Sequence, residues 1–171
     1  PVTVGDVANE FNVQIDGAGD VTGGAARRLV ADVDGAGDIV MGAISEGANL
    51  DIDGVGAIRL ASLNGDLSVD ANGTGEVDIR GGSLGEARLD LNGMGDVNIA
   101  APVRSLKVSI AGVGDVDVTG VVGDLDADIT GPGSVTVQSL TGSLRQDIAG
   151  PGSVRVQGRG PGAAESPANA P

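Results

Sequence analysis

Aliphatic side chains occupy every second position in short runs along this chain, and each run stops at the same punctuation. Leu67, Val69 and Ala71 precede Gly73, and Leu106, Val108 and Ile110 precede Gly112. A second alternating pair follows the glycines, as in Ile58 and Leu60, Val116 and Val118, or Val135 and Val137. Alternation with a period of two predicts strands with one face buried, and no stretch sustains the 3.6-residue period of a helix. A third inward position recurs at Ile44, Leu63, Leu84, Val103, Val122 and Leu140.

The punctuation is a phrase: an aliphatic strand, Gly-x-Gly, usually an acidic residue, then Val or Ile. Its first glycines are Gly17, Gly35, Gly54, Gly73, Gly93, Gly112, Gly131 and Gly150, spaced 18, 19, 19, 20, 19, 19 and 19 residues apart. Five or six apolar side chains on short strands cannot close a core alone, whereas stacked copies put Val on Val and Leu on Leu along a shared interior. The predicted fold is therefore all-β: a single-stranded parallel β-helix, or β-solenoid, of about eight coils of 18–20 residues. At about 4.8 Å between paired strands, the rod is about 38 Å long. The handedness rule for parallel crossovers favours a right-handed coil. A coil of 18 residues is also the length of left-handed hexapeptide helices, but their strict six-residue pattern is missing. The glycines are expected to serve positive φ or close approach between coils.

Residues 1–10, with Val2, Val4 and Val7 around Gly5-Asp6, read as an N-terminal partial coil; 11–157 form the repeat array; 158–171 are a Gly-, Pro- and Ala-rich tail expected to be disordered. At 171 residues this is one domain, with Phe11 as its sole aromatic residue, which agrees with a laddered aliphatic core. Cysteine is absent, so no disulfide or thiolate site exists, and no apolar run is long enough to span a membrane as a helix. Pro1 stands where an initiator Met would, the expectation being a removed leader and an extracytoplasmic location in periplasm, at the outer surface or secreted. With no His, no Cys and Lys107 as the sole lysine, the usual bases and nucleophiles are missing. Carboxylate pairs such as Asp32 and Asp34 repeat from coil to coil on an exposed strand, which argues for structure, so no enzyme is expected. The Gly-x-Gly elements open no helix and carry no following Gly-Lys-Ser/Thr, so they are not phosphate cradles.

Charge refines this picture, because the net −14 is patterned. Three residues before each first glycine stand Gln14, Asp32, Asp51, Asp70, Asp90, Ser109, Asp128 and Asp147; one residue before it stand Asp16, Asp34, Asp53, Asn72, Asn92, Ala111, Thr130 and Ala149. After the Gly-x-Gly comes Asp20, Asp38, Ala57, Glu76, Asp96, Asp115, Ser134 and Ser153. Stacking aligns these into outward acidic columns that fade toward the C-terminal coils. Like charges about 5 Å apart repel by roughly 0.8 kcal/mol in water. Three readings compete: turn capping and solubility; cations between coils, with calcium the candidate ion and Asp16, Asp20, Asp34, Asp38 and Asp53 the candidate ligands; and repulsion of anionic partners, which excludes nucleic acid. No cofactor is otherwise implied, and the Gly-Gly-x-Gly-x-Asp element of calcium-binding repeats does not occur. Between the paired glycines runs Ala18, Ala36, Val55, Thr74, Met94, Val113, Pro132 and Pro151. These either fill the corner or form an exposed apolar seam for self-association or docking, anchored by Val55, Met94 and Val113.

The phrase in Ile15-Asp16-Gly17-Ala18-Gly19-Asp20-Val21, repeated at 33–39, 91–97 and 110–116, resembles the bacterial GIN domain family of proposed auto-transporter adhesin heads. The likeness covers about 11–157. It departs at Ala57 and at the Pro-bearing Gly131-Pro132-Gly133-Ser134 and Gly150-Pro151-Gly152-Ser153. It implies an exported or cell-envelope β-helical protein with no catalytic residues to carry over. Neutral glycans are commonly gripped by Trp or Tyr, and neither is present. Two main classes follow: a non-enzymatic surface or secreted adhesin-like binding module, or a structural protein that assembles head to tail or into small homo-oligomers through open β-helix ends. A calcium-binding repeat protein is the third reading.

Overall fold

In a computed structural model of the chain, described over residues 1–159 and 164–165, the alternating runs form strands that coil into a parallel β-solenoid. Successive coils contribute β1 (Val2–Val4) and β2 (Glu10–Ile15), β3 (Val21–Gly23) and β4 (Arg28–Val33), and β5 (Ile39–Ile44) and β6 (Gly47–Ile52). The next coil is a single strand, β7 (Val55–Ala71), that bends from one face onto the other. Then come β8 (Thr74–Ile79) and β9 (Gly82–Leu91), β10 (Met94–Ile99) and β11 (Val103–Ile110), and the continuous β12 (Asp115–Ile129). The last are β13 (Ser134–Leu140), β14 (Ser143–Ile148), β15 (Ser153–Arg159) and β16 (Ala164–Glu165).

Each strand pairs in parallel with its counterpart one coil away. On the first face Val97 aligns with Val77 and Val116, and Ile99 with Ile79 and Val118; on the second, Val108 aligns with Leu89 and Ala127. These are the columns the hydrophobic pattern predicts. Among the described residues the buried side chains are all aliphatic apart from Met41, with no buried polar or charged residue and no buried side-chain nitrogen or oxygen lacking a partner. Such a core has nothing to satisfy but shape, so cohesion comes from apolar burial and from the backbone ladder between coils.

One feature of the corners narrows the expectation to one of its two alternatives, and a second differs from it. The glycines of the Gly-x-Gly turns do not have positive φ; the described residues that do are Gly47, Gly65 and Gly82, at φ of 125°, 99° and 109°, on the corner that leads into the second face. What the Gly-x-Gly turns require is close approach. A Cβ placed on Gly54 would collide with the carbonyl oxygen of Gly35, and one on Gly73 with that of Gly54. Those carbonyls accept hydrogen bonds from the next coil, Val55 N–H to Gly35 O at 2.9 Å and Thr74 N–H to Gly54 O at 2.9 Å, so neither can move away. In the first copy Gly17 and Gly19 have nothing within 4 Å of such a Cβ.

The second feature lies in the third inward column. Leu63 and Leu84 are both buried, yet they do not pair: Leu63 aligns with Gly82, and Leu84 with Gly65. The pairing offset is 19 residues there and becomes 20 between Leu67 and Ala87, so a bulge at this point absorbs the extra residue of the 20-residue coil. The array continues to Arg159 at its C-terminal side, and Ala164–Glu165 pair with Ser143–Leu144. The rest of the expected tail, 160–163 and 166–171, lies outside the described residues.

Candidate functional site

The corner built by the Gly-x-Gly phrase carries the most distinctive surface. Parallel bridges link Ala18 to Ala36 and Ala36 to Val55, and the ladder continues from Val55 to Thr74, Met94 and Val113. All six side chains are exposed, as are Pro132 and Pro151. Val55, Met94 and Val113 are 60%, 58% and 53% exposed, so they do not fill the corner but stand out from it. The reason is local: both neighbouring glycines press backbone against backbone, which turns the residue between them outward. A shallow groove of about 530 Å³ lies along this ridge, with Asp38, Glu76 and Asp96 beside Val55, Thr74, Met94 and Val113.

The column after the ridge is a set of clasps. Asp38 Oδ1 accepts the N–H of Ala57 at 3.0 Å, Asp96 Oδ1 that of Asp115 at 3.1 Å, and Asp115 Oδ1 both the N–H and the hydroxyl of Ser134, at 3.1 and 2.7 Å. Asp20 Oδ1 reaches the N–H of Asp38 at 3.4 Å. Each carboxylate thus caps the backbone of the following coil. From Ala57 through Glu76 to Asp96 the strands instead pair regularly through the turn, Gly56 with Gly75 and Gly75 with Gly95. Ala57 breaks the acidic pattern where the ladder itself supplies the bonds.

The column before the ridge behaves differently. Asn72 donates to Asp53 at 2.8 Å and Asn92 to Asn72 at 3.0 Å, an amide ladder, while Gln14 donates to Asp16 at 3.1 Å. Asp16, Asp34 and Asp53 stack on neighbouring coils beside Asp32, Asp51 and Asp70, which makes a grid of carboxylates. The charge of Asp32, then partial burial, then Asp16 and Asp53, raise the pKa of Asp34 above the ordinary carboxylate range. Partial burial, followed by Asp53, Asp70, Asp32 and Asp34, raises that of Asp51. The five candidate metal ligands are thereby divided. Asp16, Asp34 and Asp53 share one column and Asp20 and Asp38 another, on either side of the ridge along the chain. Among the described residues no group of three or more acidic side chains is gathered as a metal ion requires.

A raised pKa means that the folded grid binds a proton more tightly than the unfolded chain. Its repulsion therefore vanishes as pH falls through the raised value and is fully present above it. Asp51→Asn is expected to stabilise the chain at pH 7 by a few tenths to about 1 kcal/mol, the scale for like charges directly opposite on a sheet. The gain should shrink in high salt and disappear at acid pH, where the native Asp51 is itself protonated. Urea titrations at pH 7 and at pH 3.5 check this; an equal gain at both would exclude charge as its cause. Asp124 has the opposite sign. The N–H and then the hydroxyl of Ser143, both at 2.8 Å, lower its pKa, so its contribution is present at neutral pH and is lost as pH falls through the lowered value.

Asp124 belongs to a set that the reading of the sequence missed. On the corner leading into the second face, Asp6 accepts the N–H of Ala25 at 2.8 Å and Asp66 that of Glu86 at 2.9 Å, each one coil on. Their available signal is the recurring dipeptide Gly5-Asp6, Gly65-Asp66 and Gly123-Asp124. The second face carries another depression, of about 440 Å³, but Arg28 and Arg88 share it with Glu46, Asp66 and Glu86, so it lacks a single sign of charge. The ridge, by contrast, has no Lys or Arg in either column beside it.

Neither the curated proteins nor the solved structures gave a match. The family model described as "Putative auto-transporter adhesin, head GIN domain" matches residues 12–121, most of the chain and the part that bears both the ridge from Ala18 to Val113 and the carboxylate grid. With its glycine-cornered coils, outward acid and inward Val and Ile over that span, the chain belongs to the GIN head-domain family.

Proposed function

We propose that this chain is a non-enzymatic, extracytoplasmic binding module of the adhesin type, and that the exposed ridge is its contact surface. The family, one of adhesin heads and not of enzymes, supports the class. The single observation that carries the choice of surface is the exposure of Val55, Met94 and Val113 in one stacked row, to which the other large exposed apolar residues described, Val2, Val40 and Val121, do not belong. A contiguous row of exposed apolar side chains supports an interaction site there. The depressions described above are open, with no enclosed chamber in which a bond could be broken away from water.

Beads coated with the chain are expected to be retained on bacterial or epithelial cell layers under flow. Beads carrying Val55→Ser, Met94→Ser and Val113→Ser together should lose most of that retention while the protein keeps its melting temperature. Wild-type beads washing off like bare beads would remove the adhesin reading, and full retention of the triple variant would move the contact elsewhere.

A further inference from the structure

We propose that the ridge docks a cationic amphipathic polypeptide, one that lays an apolar stripe on Val55, Met94 and Val113 and reaches with Lys or Arg to the carboxylates beside them. This rests on the ridge being the contact surface and names the chemistry of what it contacts. Charge complementarity favours such a partner. Along the groove Asp38, Glu76 and Asp96 stand beside the apolar row, while over the same coils the column on the other side runs Asp53, Asn72, Asn92 and Ala111, and neither column contains a Lys or Arg. Asp38 and Asp96 each use Oδ1 to clasp a backbone N–H. Among the described residues the second oxygen of Asp96 has no hydrogen-bond or ion-pair partner, and that of Asp38 makes only a long ion pair with Arg59, Nη1 to Oδ2 at 3.9 Å. Glu76, exposed, makes no side-chain hydrogen bond among the described residues. At Glu76 and Asp96 an incoming ammonium or guanidinium gains a charge-assisted partner without breaking a bond of the fold, and at Asp38 it displaces only the long Arg59 contact.

Spacing selects the shape of the partner. Rows on the ridge repeat at the inter-strand distance of about 4.8 Å, whereas an extended strand laid along the axis would repeat its same-face side chains at about 6.8 Å. A helix repeats its apolar stripe once per turn, about 5.4 Å, and flanking Lys or Arg stems lie on such a stripe with their charges spread to both sides. From Val55 to Val113 is three coil steps, about 14 Å, which matches a helix of roughly ten residues. A second copy of this chain fits poorly, because its own ridge arrives with an acidic column of the same sign.

The test is calorimetric titration of the full chain with three synthetic peptides: a Leu/Lys peptide with Leu at helical spacing, a scrambled peptide of the same composition, and oligolysine of equal charge. The amphipathic peptide is expected to bind at least tenfold more tightly than the other two. The Val55→Ser/Met94→Ser/Val113→Ser protein should lose at least tenfold in affinity. An Asp38→Asn/Glu76→Gln/Asp96→Asn protein, whose amide oxygens preserve the clasps, should lose as much together with most of the salt dependence. Equal binding of all three peptides, or an unaffected serine variant, would reduce the effect to general attraction by an acidic rod and overturn the proposal. So would a doubling of mass by light scattering that blocks the peptide, since the occupant would then be a second copy. Retention of coated beads without peptide binding would sink the partner class alone; peptide binding without bead retention would sink the adhesin reading and leave the seam.

Discussion

Gly54→Ala is expected to be among the most damaging single-methyl changes this chain can suffer, costing about 3–5 kcal/mol, whereas Gly17→Ala should change stability by less than about 0.5 kcal/mol. The two glycines occupy the same place in the phrase. At Gly54 the new methyl would overlap the Gly35 carbonyl oxygen, with the carbonyl carbon of Asp34 2.9 Å away. Backbone on both sides is fixed by inter-coil hydrogen bonds, among them Gly54 N–H to Val33 O at 2.8 Å, so relief would need two coils to part. At Gly17 the methyl meets nothing within 4 Å, and φ is not positive there, so alanine is free of strain and reduces the entropy of the unfolded chain. Urea unfolding of the two variants decides the matter. Equal losses would mean that the turn needs glycine for backbone conformation, and equal tolerance would mean that the coils are not in contact at this corner.

Leu60→Ala should cost about 2–5 kcal/mol, the range for a buried leucine whose cavity cannot collapse. Leu60 is fully buried and stacks between Met41 and Ile79 in a ladder whose spacing is set by backbone hydrogen bonds, so neighbouring coils cannot close over the gap. Val55→Ala, five residues earlier, removes an exposed side chain and should leave stability within about 0.5 kcal/mol. The contrast separates the two kinds of aliphatic column, one that makes the rod and one that the rod displays. Comparable losses at both positions would show that the ridge is part of the core after all.

How far the fold could be read beforehand follows from what repeats. The inward columns are legible because burial imposes a period of two on each strand and about 19 on the array, and Leu106, Val108 and Ile110 lie where that pattern puts them. The reason for the glycines is only half legible. Composition cannot distinguish a turn that needs positive φ from one that needs a neighbour at contact distance, and the Gly-x-Gly corners are of the second kind. The bulge near Gly65 hides in a single 20-residue spacing, since one inserted residue shifts Leu84 against Leu63 without changing the character of either. For the surface, the ridge was visible as a column but its exposure was not: Val55, Met94 and Val113 are as apolar as any core residue, and only the backbone around them decides which way they face. The clasps at Asp6, Asp66 and Asp124 escape because an aspartate in a turn looks the same whether it bonds its own loop or the coil above.

Those clasps and the stacked glycines, over the backbone ladder that joins every coil, give the coils two dissimilar sides. The lower side offers carbonyl oxygens and side-chain carboxylates, and the upper side meets them with N–H groups and bare glycine. Because the same parallel backbone ladder recurs with each circuit, coils are interchangeable units of measure. The molecule works as a ruler, graduated at about 4.8 Å, on which the reach of the displayed ridge is set by the number of circuits and not by any change in their chemistry.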